Sequence, residues 1–163
     1  MPRKIEVSLS ESGIQTLQRE LDDYEKWLEE KTGELAKRLA DLGAVKASLG
    51  FARAIYNGKE DHDITVEPQG ENCYVVKAVG RTVLFVEFGA GIKYGYGHPE
   101  LHGMGPGTYP PTDPDNPHWD DPDGWWYAHN QHTFGNPPNA PMYNAVKELE
   151  QELARVVKEV FAE

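Results

Sequence analysis

The chain has 163 residues, 39% of them hydrophobic and 10% aromatic, which fits a single domain whose core is modest or is completed by other chains, and not a disordered segment. A formal charge of −11 opposes binding to DNA or anionic lipid, both of which are held by lysine and arginine, and sequence-specific nucleic acid is not expected as a partner either. Cys73 is the single cysteine, no apolar run approaches membrane-spanning length and the opening MPRKIEVSLS has no signal-like stretch, so a soluble protein made in a reducing cytoplasm is expected.

Ile5, Val7 and Leu9 alternate and predict a short strand over residues 4–9, while Ser8 and Glu11 have the spacing of a capping box, with a helix starting near Ser10. Ile14, Leu17, Leu21, Tyr24, Leu28, Leu35 and Leu39 then recur at three and four, with Lys31 the polar member of the series. Such a stripe can face a core or another helix. Gly33 is a soft point, and Gly43 is expected to break the helix before a shorter one carrying Val45, Leu49, Ala52, Ile55 and Tyr56, closed by Asn57 and Gly58. Three strands are expected next, HDITVE, CYVVKAVG and TVLFVEF, the first two joined by PQGEN and the last two by a tight turn at Gly80 and Arg81. The C-terminal helix begins between Asn139 and Pro141, and its apolar positions are Met142, Val146, Leu149, Leu153, Val156 and Val160. The expected class is α+β: residues 1–58 a short strand and helices, 62–88 antiparallel strands, 89–139 a long loop or arm, 140–163 a helix, with both long helices packed on the sheet.

Residues 89–139 hold nine of the 16 glycines, nine of the 12 prolines and five of the six histidines. A plain linker would be poor in tryptophan, because large rings gain free energy only when buried or bound. The run GWWY at residues 124–127 is therefore expected to pack on the domain, a neighbour or a ligand.

The chemistry in this insert is less well specified. His98 and His102 lie four apart and His129 and His132 three apart, a pattern compatible with a zinc site, and hence a metal-dependent hydrolase, if an aspartate adds a ligand. Pro99 and Gly103 deny the first pair a helical frame and no H-E-x-x-H occurs, so ordinary loop histidines are the simpler reading, with no metal or other cofactor. The alternating aspartates of DPDNP lack the glycine and closing glutamate of a calcium loop and read as Asx turns. GAGIKYG completes neither G-x-G-x-x-G nor G-K-[ST], and no serine lies in G-x-S-x-G. Trp119, Trp125, Trp126 and Tyr127 beside acids could stack on sugar rings, as in a carbohydrate-binding module, or equally anchor a protein interface.

Taken in order, the short strand and long charged helix, VEFGAGI, GWWY, and HTFGNPPNAPMYNAVKELEQELARVVKEVF resemble the minor tail or tail-completion proteins that sit at the head-to-tail junction of long-tailed bacteriophages and prophages. The family's VEFGTG corresponds to Val86 through Gly91, with Ala90 in place of threonine. Its G-x-P-x-x-P-F box corresponds, at altered spacing, to Gly135, Pro137 and Pro138, then Pro141 and Met142. The stretch 93–123 is longer and richer in histidine than the family pattern. The resemblance implies a non-catalytic virion protein, made in the host cytoplasm and located in tail or neck, that assembles as a homo-oligomeric ring against neck, connector or tail proteins. The residues expected at its assembly interface are Glu87, Phe88, Gly89, Gly91, Trp119, Trp125, Trp126, Tyr127, Phe134, Pro137, Pro138 and Met142.

Overall fold

A computed structural model describes residues 6, 8, 10–54, 61–106, 123–127 and 131–162. The element order is α1 (Glu11–Arg53), β1 (Asp63–Pro68), β2 (Tyr74–Val79), α2 (Val83–Phe88), β3 (Trp125–Tyr127), β4 (Gln131–Thr133) and α3 (Pro141–Ala162). This is the expected α+β arrangement, with long N- and C-terminal helices and a small antiparallel sheet. The strand expected over residues 4–9 lies outside the described residues except for Glu6 and Ser8, which are in no strand. Ile55, Tyr56, Asn57 and Gly58 also lie outside them.

Helix α1 begins where Ser10 accepts the Gly13 amide at 3.2 Å, so Ser10 and not Ser8 is the N-cap. The helix then runs unbroken through both glycines, which corrects the expected break at Gly43. A glycine inside a helix costs about 1 kcal/mol relative to alanine when only propensity is counted. Here the missing side chain admits α3: a Cβ on Gly43 would stand 3.0 Å from Leu149 Cδ1, and one on Gly50 would stand 2.7 Å from Pro141 Cβ. Ala40, Gly43, Ala47 and Phe51 form the buried face, so small residues let the two helices approach closely.

The helices run antiparallel. Gly50 meets Pro141, Lys46 Nζ lies 2.6 Å from Glu148, and the Trp27 ring sits edge-on to Phe161 at 5.8 Å. On α3 the buried positions are Pro141, Ala145, Val156 and Val160, whereas Val146 and Leu153 face outward. The expected apolar stripe is therefore divided, and its contact face passes through Ala145 instead of Val146.

The β1–β2 hairpin lies along the middle of α1, with Thr65 opposite Lys77 and Val66 opposite Val76, and Val76 faces Gly43. Its turn uses Gly70 and Asn72 in left-handed conformations, and the Gln69 amide donates to the Cys73 carbonyl at 2.8 Å. The third strand is corrected: TVLFVEF folds as the short helix α2, and Gly80 and Arg81 lead into it and form no hairpin turn. Four consecutive apolar residues, Val83 to Val86, carry no period that separates strand from helix. A second hairpin, β3–β4, pairs Trp125 with Thr133 and Trp126 with His132, so the stretch 89–139, expected to lack periodic structure, contains a small sheet.

Candidate functional site

The resembling segments VEFGAGI and NAPMY meet in space. Helix α3 starts at Pro141, a residue suited to the first helical position because it has no amide hydrogen to satisfy. Ala140 before it has no side-chain acceptor for the amides that follow. Glu87 supplies one from the end of α2: its Oε2 accepts from the Met142 amide at 2.8 Å and its Oε1 from the Tyr143 amide at 3.0 Å. These are the second and third amides of the helix, the two that a local cap would serve. The carboxylate also lies at the positive end of the helix dipole.

His98 completes the cluster. It is 1% exposed and Glu87 5%, and its Nε2 lies 3.3 Å from Glu87 Oε1. The amides of Glu100 and Leu101 both point at His98 Nδ1, at 3.3 and 3.0 Å. Two donors facing Nδ1 place the ring proton on Nε2, so a neutral imidazole donates to the glutamate. Phe88 and Tyr143 enclose the ring, with centroids 5.1 and 5.4 Å away.

Backbone pairing fastens the rest of the loop. The Ala90 amide donates to the Asn136 carbonyl at 2.9 Å, the Asn139 amide to the Val86 carbonyl at 2.8 Å, and the Gly91 amide to the Pro106 carbonyl at 2.7 Å. Asn136 Nδ2 donates to the Phe85 carbonyl at 2.7 Å. Gly89 and Gly135 adopt φ of 76° and 100°, and a Cβ would lie 2.8 Å from the Asn136 carbonyl oxygen in one case and 1.8 Å from that of Ala90 in the other. Only glycine fits either place. Gly91 and Gly95 direct their amides at Pro106 and Gly91 carbonyls, so these amides are committed inside the loop and do not form a phosphate cradle.

The expected site residues thus divide between interior and surface. Glu87, Gly89 and Gly91 are buried within the chain, and Phe88, Pro138 and Met142 are half-buried. Trp126, at 69%, and Phe134, at 44%, are exposed, as is Pro137. Trp125 and Tyr127 lie on β3; Trp119 and His129 lie outside the described residues, as does DPDNP. His132 stands between Trp126 and Phe134, edge-on to each at 5.0 Å. Lys93 Nζ lies 5.3 Å from the Phe134 ring centre and 5.2 Å from that of Tyr94, cation–π contacts that join the hairpin to the loop after α2. Ile92, Tyr96, Leu101 and Met104 of that loop are also exposed.

Of the four candidate histidines, His129 lies outside the described residues, and His98, His102 and His132 do not form one centre. Both His98 nitrogens are engaged by protein groups, His102 Nδ1 donates to the Tyr96 carbonyl at 2.9 Å, and His132 belongs to the aromatic cluster. Among the described residues no group of three histidine, cysteine or acidic side chains could hold a metal ion, and no helix is long and apolar enough to cross a membrane. Comparison of the chain with protein-family models, curated proteins and solved structures found no match.

Proposed function

We propose that the chain is a structural virion protein of a tailed bacteriophage or prophage, a minor tail or tail-completion component of the head-to-tail junction that works by oligomeric assembly. The observation that carries this reading is that VEFGAGI and the proline box before α3, recognised as separate motifs, are joined by Glu87 into one buried unit. A rigid unit of this kind can present neighbouring surface at little ordering cost. What it presents is aromatic: Trp126, His132 and Phe134, with Lys93 behind them. Exposed tryptophan and other large rings are the side chains that contribute most to protein interfaces.

In this reading the cluster contacts an adjacent subunit or a neck, connector or tail protein, and the self-contact closes a ring as symmetric assemblies do. Light scattering of the purified chain at rising concentration, alone and with neck and tail proteins from the same virus, tests it. Concentration-dependent oligomers or a stable complex are expected; a monomer indifferent to every virion protein overturns the proposal.

A further inference from the structure

Helix α1 is far longer than its partner. Residues 27–53 lie beside α3 and the β1–β2 hairpin, but α3 ends where Phe161 meets Trp27. Residues 11–26 extend roughly 24 Å beyond that contact, at 1.5 Å per residue. An isolated helix of that length is marginal in water, so its stability comes from propagation out of the packed half and from whatever covers it.

This projecting half carries a heptad seam. Ile14, Leu21 and Leu28 occupy one core position and Leu17 and Tyr24 the other, and all but half-exposed Leu17 are at least 41% exposed. The pattern stops at Lys31, which turns to Glu34 at 3.2 Å. The flanks of the seam are occupied by Gln18, Glu20, Glu25 and Trp27, and no cation is among them. Arg19 and Lys26, the two bases of residues 11–30, both fall on the outermost heptad position, away from any partner. Flanking charges choose the partner in coiled coils. A parallel second copy would set Glu20 against Glu25 of its mate, which is unfavourable, and an antiparallel one would offer neither glutamate a cation on the facing flank.

We propose that residues 14–28 form one strand of a two-protein coiled coil, and that the other strand is a basic amphipathic helix of a different protein, with aliphatic core positions and Lys or Arg on its flanks. This surface is separate from the aromatic hairpin, and the inference does not rest on the virion reading.

The test uses the full chain and three synthetic helical peptides of equal length. The first has Ile and Leu at the core positions and Lys on the flanks, the second replaces Lys with Glu, and the third keeps Lys but has Ser at the core positions. Anisotropy titrations are expected to show binding of the first alone, weakening with added salt, and circular dichroism to show added helix. Leu21→Asp abolishes that binding, and Glu20→Lys with Glu25→Lys weakens it by about tenfold or more while creating affinity for the Glu peptide. All three positions are exposed, so an unchanged helix signal in the free variants verifies their folding. The proposal is overturned if the first peptide fails to bind, if the Glu or Ser peptide binds equally well, or if charge reversal leaves the preference unmoved. A dimer of the chain alone that Leu21→Asp dissolves also overturns it.

Discussion

Glu87 and the amide of Met142 are 55 positions apart in the chain and 2.8 Å apart in space. That bond, with its neighbour at Tyr143, makes the end of α2 the N-cap of α3 and ties the loop after α2 to the helix that packs along α1. Removing the acceptor leaves two amides and the His98 Nε2–H without it in a buried place. Glu87→Ala is expected to destabilise the fold by about 3 kcal/mol and Glu87→Gln by about half of that, since the amide oxygen can still accept. Urea denaturation of the two variants checks the order.

His98 is expected to hold a single neutral tautomer in the folded protein. Nitrogen-15 shifts of its ring would show protonated Nε2 and unprotonated Nδ1. His98→Phe keeps a ring between Phe88 and Tyr143 but strands the Glu100 and Leu101 amides, at an expected cost of about 2 kcal/mol in denaturation.

The glycines of α1 separate by what a methyl group would meet. At Gly33 it meets the Asn72 side-chain oxygen, which can swing away, so Gly33→Ala is expected to stabilise by about 0.5–1 kcal/mol through helix propensity. At Gly50 it meets Pro141 at the start of α3, so Gly50→Ala is expected to destabilise by about 1–3 kcal/mol. Thermal melting of the pair should shift in opposite directions.

On the surface of α3, Arg155 donates to Glu152 at 2.7 Å and also reaches Glu159. Its hydrogen bond and charge hold the Glu152 carboxyl below its ordinary value. A carboxyl with a lowered folded value adds stability that is present above its unfolded value and is lost as pH falls through the folded one. Arg155→Ala should therefore lower stability at neutral pH, by an amount that shrinks as pH falls and Glu152 is protonated, measured by denaturation across that range.

What was legible in the sequence follows from how local its causes are. The presence of α1 and α3 and of the β1–β2 turn was readable because helical spacing and turn residues lie within a few positions. The contact faces were not: small residues such as Ala47 and Ala145 are buried while Val45, Leu49, Val146 and Leu153 are exposed. Gly43 was misread because propensity sees the glycine and not Leu149, which needs the space. TVLFVEF was misread because an unbroken apolar run fits either period. The Glu87 cap lies beyond local reasoning, although two signs pointed toward it: a lone acid in the apolar run from Val83 to Ile92, and a helix preceded by Ala140 with no capping side chain. His98 reads from the sequence as an ordinary loop histidine, with a metal pair as the alternative, since spacing cannot show that two backbone amides face its Nδ1 and Glu87 its Nε2.

Trp126 is expected to matter for assembly and hardly for folding. As it is 69% exposed, Trp126→Ser should change stability by less than about 0.5 kcal/mol. Light scattering of the wild-type chain and this variant, at rising concentration and with virion neck and tail proteins added, is the most direct measurement. Wild-type mass is expected to rise to a multiple of the 18.3 kDa chain or to that of a complex, and the variant to stay monomeric. Wild-type protein that stays at the single-chain mass under every one of these conditions would contradict an assembly role.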